Sequence, residues 1–154
     1  MSAAPGHSHA SSHRSAKHEG TPVSAHDITR HPLHLGLGAS AVVEPLFTGA
    51  MDWYAGYGER HASDGAEGRL VSMYTFSEPW TMWEMHPLGH EVVLCTAGSI
   101  TLHQEMKDGT VSSTTLGPGQ YAINEPGVWH TADVSAAATA LFITAGQGTE
   151  HRPR

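Results

Sequence analysis

The sequence predicts an all-β fold, an antiparallel sandwich or barrel, and three observations carry that expectation. From Arg69 onward, short runs with strand character follow one another closely. Turns bearing Gly or Pro separate them, and no amphipathic helical stretch lies between them. Strands joined directly by turns pair antiparallel, because parallel pairing needs a long crossover connection.

Residues 1–25 read as a disordered leader. His7, His9, His13 and His18 stand there among Ser, Ala and Gly with no apolar period, so too little is buried to offset the entropy of ordering. Such a leader is either a solvated extension or a device for metal capture. Residues 26–68 form an arm and a short helix. In the arm, Leu33, Leu35 and Leu37 alternate with His34 and Gly36, the period of a half-buried strand. His26, His31 and His34 have no carboxylate at ligand spacing and are read as structural or solvated. Gly49 to Ala62 carries Met51, Trp53, Tyr54, Tyr57 and His61 in a mixed helical pattern, weakened by Gly56 and Gly58 and broken by Ser63-Asp64-Gly65.

Residues 69–154 hold the strands of the main unit. They are Arg69 to Phe76, Trp80 to His86, Glu91 to Ala97, Ser99 to Glu105, Val111 to Leu116, Gln120 to Asn124, Val128 to Val134 and Ala138 to Thr144. Pro87-Leu88-Gly89, Gly117-Pro118-Gly119 and Glu125-Pro126-Gly127 are among the separators, where Gly or Pro supplies the dihedral a turn demands. After Thr144 the glycines at 146 and 148 predict a loop lying against the strands.

Composition narrows the function classes. Lys and Arg total 8 against 15 Asp and Glu, a formal charge of −7, which excludes a phosphate-tracking surface and a nucleic-acid partner. Cys95 stands alone and cannot form an intramolecular disulfide. No apolar run approaches the ~18 residues of a membrane span, and no signal-peptide core is visible, so a cytoplasmic protein without a membrane partner is expected.

The chemistry gathers around one turn. In Trp83-Glu84-Met85-His86-Pro87-Leu88-Gly89-His90-Glu91, Glu84 and His86 are two apart in a strand and share a face. Glu91 is expected opposite His86 near the closed end of a hairpin, and His130 arrives after a separate turn. Acidic and imidazole groups converging from several strand ends are how a β-protein assembles a mononuclear metal centre. Regular pleating turns His90 away, although a distorted turn would exchange it for Glu91. Cys95 lies too far along its strand to join the site and reads as a buried thiol, and His103 reads as solvent-facing. Trp80, Trp83 and Trp129 either shape a pocket or belong to core or dimer contacts.

These spacings resemble the two motifs of the cupin superfamily, small antiparallel β-barrels of jelly-roll type. Glu84-Met85-His86, then Glu91, then Gly98 fit the first motif; Gly119, Gly127 and His130 fit the second, with the expected Pro displaced to Pro126 and Val134 at the position of a terminal Asn. The resemblance spans roughly residues 69 to 145. It implies Glu84, His86, Glu91 and His130 as metal ligands, with Glu84 standing where cupins usually carry His. Two carboxylates and two neutral imidazoles would cancel the charge of a divalent ion and weaken it as a Lewis acid. Alternatively Glu84 stays off the metal as a general base, leaving His86, Glu91 and His130 as a two-His-one-carboxylate triad.

The function expected is that of a mononuclear metal-binding cupin, an enzyme of dioxygenase or isomerase type acting on a small organic substrate. The rival is a non-catalytic module that binds a small molecule or stores metal. The ligand types leave Fe, Mn, Ni, Zn and Cu all open. Small cupins often pair, so a homodimer is expected, with the arm of Leu33, Leu35 and Leu37 adding a strand to the neighbouring subunit.

Overall fold

Alternating side chains give each strand one apolar face, and two sheets stacked face to face bury those faces together. The computed structural model describes residues 20 and 22–154, so the leader histidines lie outside the described residues. The strands are β1 (Leu33–Gly36), β2 (Ser40–Val43), β3 (Arg69–Phe76), β4 (Met82–Met85), β5 (Glu91–Ala97) and β6 (Ile100–Glu105), followed by β7 (Val111–Leu116), β8 (Tyr121–Asn124), β9 (His130–Asp133), β10 (Ala138–Thr144) and β11 (Glu150–Pro153). An α-helix, α1 (Met51–Arg60), lies between β2 and β3, within the stretch expected to be helical.

A six-stranded sheet runs β2-β1-β3-β10-β5-β8, and a five-stranded sheet runs β11-β4-β9-β6-β7. All pairings are antiparallel. With β3, β10, β5 and β8 in one layer and β4, β9, β6 and β7 in the other, the strand order is that of a jelly roll. The expected barrel is not closed, since turns rather than ladder hydrogen bonds join the layers at their edges. The hairpin expected around Pro87-Leu88-Gly89 is also corrected. β4 pairs with β11 and β9 while β5 pairs with β10 and β8, so this turn carries the chain from one sheet to the other.

Period-two burial separates a dry end of the sandwich from a polar one. Val93 and Cys95 of β5, Ile100 and Leu102 of β6, Ala132 of β9 and Ala138, Ala140 and Phe142 of β10 fill the core. Continuing each inward stripe toward the other end of its strand leads to Glu91, Gln104, His130 and Thr144. The same parity that builds the core therefore delivers polar groups to one mouth.

The arm reverses the orientation expected of it. His34 is 1% exposed, whereas Leu35 and Leu37 are 38% and 50% exposed. β1 lies beside β3 with His34 opposite Leu70, and His34 turns inward because Tyr57 and Asp64 satisfy both its ring nitrogens. β1 also pairs with β2 of its own chain. The residues after Thr144 differ as well, since β11 adds to β4 rather than looping. The Arg152 guanidinium lies 5.4 Å from the Trp83 ring centroid and 4.4 Å from that of Trp129, a cation–π clasp that holds the strand down. Trp80 instead packs against Phe76 and Phe142. Among the described residues no helix is long and apolar enough to cross a membrane.

Gly98, in the turn between β5 and β6, has φ +71°, and a Cβ there would lie 2.2 Å from the Ala137 carbonyl oxygen. Gly109→Ala meets a similar positive φ but open space. Gly98→Ala is expected to cost roughly 1–3 kcal/mol more than Gly109→Ala in urea unfolding, because backbone strain and steric overlap add.

Candidate metal centre

The expected ligands come together from both sheets. Glu84 and His130 are register partners of adjacent strands, and His86 follows the end of β4, so the five-stranded sheet presents three of the groups. Glu91, the first residue of β5, faces them from the six-stranded sheet. One donor atom from each of Glu84, His86, Glu91 and His130 can be chosen so that all lie within 4.8 Å of one another. His86, Glu91 and His130 are buried, while the Glu84 side chain is 25% exposed. His90 is exposed and does not exchange with Glu91.

Hydrogen bonds around the cluster orient each member. Asn124 Nδ2 donates to Glu91 Oε2 at 3.0 Å and Thr144 Oγ1 donates to Oε1 at 2.9 Å. Gln104 Nε2 donates in turn to Asn124 Oδ1 at 2.6 Å. The Thr149 hydroxyl donates to the Gly146 carbonyl, so it accepts from His86 Nδ1 at 2.9 Å. His130 Nδ1 donates to the Val128 carbonyl at 3.0 Å. With Nδ1 carrying the proton in each neutral ring, both Nε2 atoms present lone pairs.

Those lone pairs face a carboxylate. His86 Nε2 lies 3.3 Å from Glu91 Oε1 and His130 Nε2 lies 3.0 Å from Oε2, yet neither nitrogen has an aligned hydrogen bond. Bare nitrogens opposite carboxylate oxygens repel unless a cation stands between them. That cation is either a proton on each ring or a metal ion drawing on all three residues, and the donor set fits a divalent metal.

The charges respond accordingly. Burial pushes the Glu91 carboxyl up, but the His130 and His86 rings beside it outweigh burial and hold the pKa well below the usual carboxylate range. Burial pushes His130 down, but Glu91 beside it wins and the net shift is upward.

The cluster opens onto a cavity of about 840 Å³ covered by α1. Phe47, Tyr54, Tyr74, Phe76, Trp80 and Phe142 form much of its wall, and among the described residues no Lys or Arg lines it. Of the three tryptophans that sequence offered as pocket walls, only Trp80 lines this cavity. Cys95 is a buried free thiol pointing at the carbonyls of Ala97 and Gly98. His103 is not simply solvent-facing: it bonds Ser113 and Asp133 across neighbouring strands.

Sequence reasoning missed His151, whose Nε2 lies 3.2 Å from Glu84 Oε1, along with Asn124, Thr144 and Thr149. Parity alone put Thr144 on an inward stripe. His151 and Thr149 carried no local signal, because β11 reaches the site only through a long-range pairing.

No family model matches the chain, and no curated protein matches it. Three solved structures illustrate the likeness in shape. A conserved protein from Klebsiella pneumoniae with a double-stranded β-helix domain is 20% identical with a TM-score of 0.47, over 56% of this chain and 76% of that one. A cupin superfamily protein from Desulfitobacterium hafniense is 16% identical with a TM-score of 0.42, over 49% and 65%. Hydroquinone 1,2-dioxygenase from a Sphingomonas species, solved with 4-hydroxybenzoate bound, is 15% identical with a TM-score of 0.42, and this chain spans 59% of its length. The jelly-roll strand order is carried by the sheet topology itself.

His86→Ala and His130→Ala are each expected to remove stoichiometric metal, measured by elemental analysis after loading and desalting. Because the His130 pKa is raised, a proton competes with the ion for Nε2. Zinc affinity should therefore be full above that pKa and fall by about tenfold per pH unit below it, as calorimetry at several pH values would record.

Proposed function

We propose that this protein is a mononuclear metal-dependent oxygenase acting on a small hydroxylated aromatic molecule held in the cavity. The observation that carries the reading is the pair of buried Nε2 atoms, each without a hydrogen-bond partner, facing Glu91 beside an aromatic-walled space. Two imidazoles and one carboxylate form the triad that suits non-haem Fe(II) with open positions. When bound, such an ion supplies Lewis acidity and a place for O₂.

The chain's own residues supply the rest. Glu91 provides the anionic donor, held by Asn124 and Thr144 so that it does not swing away. Phe76, Trp80 and Phe142 offer flat apolar surface that excludes water and orders a ring by stacking. With no lining Lys or Arg among the described residues, the cavity suits a neutral phenol better than a ligand needing a salt bridge. Glu84, partly exposed and bonded to His151, stands where it can take a proton from a substrate group lying against His86 and Glu91.

A second reading, oxygen-independent isomerisation with Glu84 as the base, draws on the same Glu84–His151 pair. Oxygen uptake by iron-loaded protein across a panel of phenols, catechols and enediols separates the two. Uptake that tracks substrate loss supports the oxygenase, and conversion without oxygen overturns it in favour of isomerisation. Glu84→Gln is expected to retain iron and lose about 10²–10⁴ in rate, the usual contribution of a positioned acid or base. Iron-loaded protein that consumes no member of the panel would leave a binding module.

A further inference from the structure

The arm and helix bury a polar group that the metal centre does not use. His34 is fully buried, and both its ring nitrogens are engaged. Nε2 lies 2.8 Å from Asp64 Oδ2, and Nδ1 lies 2.7 Å from the Tyr57 hydroxyl. An ionised carboxylate only accepts, so Nε2 carries the proton and donates to Asp64. Nδ1 is then the bare nitrogen and accepts the Tyr57 O–H. Carboxylate, imidazole and hydroxyl thus stand in the order that draws a hydroxyl proton toward a ring held in one tautomer.

The local sequence is shaped around this group. A Cβ on Gly36 would lie 2.2 Å from Asp64 Oδ2, and one on Gly68 would lie 2.8 Å from His34 Cε1, so two glycines leave the space that ring and carboxylate occupy. Behind His34, the His61 ring stacks at 3.5 Å between centroids with planes 15° apart. His61 Nε2 lies 2.5 Å from Glu44 Oε1, and Arg60 Nη2 donates to Glu44 Oε2 at 2.6 Å. Burial, with the Glu44 and Asp64 charges, raises the Tyr57 pKa against the opposing pull of Arg60 and Arg69, so the phenol stays protonated and able to donate.

His34, His61 and Asp64 offer donor atoms within 4.8 Å of one another, which raises the alternative of a second metal. The geometry disfavours it. Nearly parallel stacked rings aim their in-plane lone pairs side by side rather than at one point, and both His34 nitrogens are already bonded.

Tyr57, His34 and His61 line the same cavity as Glu84, His86 and Glu91. We propose that Asp64, His34 and Tyr57 form a proton relay that receives the hydroxyl proton of a phenolic ligand lying in that cavity. The proposal rests on the reading of the cavity as a site for hydroxylated aromatics. Since Tyr57 gives its own proton to His34, its oxygen presents only lone pairs to a ligand and selects a donor. In the transfer, the ligand O–H breaks as its proton passes to the Tyr57 oxygen, while the Tyr57 proton passes to His34 Nδ1. The products are a bound phenolate and an imidazolium paired with Asp64, with Tyr57 neutral and no change in oxidation state.

4-Nitrophenol, whose absorbance reports ionisation, and its methyl ether 4-nitroanisole test this. Each is titrated into metal-loaded wild type, Tyr57→Phe and Asp64→Asn, then again after chelation, with melting curves to verify folding. Wild type is expected to hold 4-nitrophenol in a more ionised state than the free dye at the same pH. Tyr57→Phe should weaken the phenol about tenfold and abolish the added ionisation. Asp64→Asn should bind the phenol but lose the ionisation, and the ether should bind all three proteins alike. Equal loss of both probes, ionisation unchanged in both variants, ionisation that disappears with the metal alone, or no binding of 4-nitrophenol to wild type would each overturn the relay. A second zinc equivalent lost in Asp64→Asn would overturn it in favour of a metal. Failure to load metal while Tyr57→Phe still discriminates the probes would sink the metal-enzyme reading and leave the relay standing.

Discussion

A carboxylate taken out of water between two imidazoles is the constraint on which the site turns. Glu91 is 2% exposed, and an isolated charge at that depth would protonate rather than persist. It remains ionised because four groups converge on it, His130, Asn124 and Thr144 from three strands and His86 from just beyond a fourth. Each of those groups is fixed by the register of its own strand, so the jelly-roll topology and the electrostatics of the mouth are two descriptions of one arrangement. Moving any of these strands by one residue would turn its contribution out of the cluster.

Much of this was legible before any coordinates. Alternation and turn chemistry placed the strands from β3 to β10 close to their observed bounds, because both are local properties of the chain. Strand parity also put Glu84 with His86 on one face, and the spacings of two motifs singled out Glu91 and His130. Parity says which side chains share a face but not which strands pair. The turn at Pro87-Leu88-Gly89 therefore read as a hairpin when it crosses between sheets. His151 and Thr149 were invisible for the same reason, since only the pairing of β11 with β4 brings them near.

The arm shows where hydrophobic pattern misleads. Leucine at alternate positions ordinarily marks the buried face, yet β1 turns His34 inward and leaves Leu35 exposed. The inversion is possible because Asp64 and Tyr57, distant in sequence, satisfy the imidazole completely, so burial leaves no orphaned group. A local rule fails here where a polar cluster overrides it, a common mark of a stretch shaped by something other than stability.

Dividing the donors between the two layers has a mechanical side. Glu91 belongs to one hydrogen-bonded sheet, and His130 and the end of β4 that carries His86 to the other, so an ion gripped by all three would cross-link the two layers. Its binding energy would accordingly enter the free energy of keeping the layers together. With an ion bound there, stripping it would slacken this end of the molecule first, while the aliphatic end, packed around Ile100 and Phe142, stayed closed.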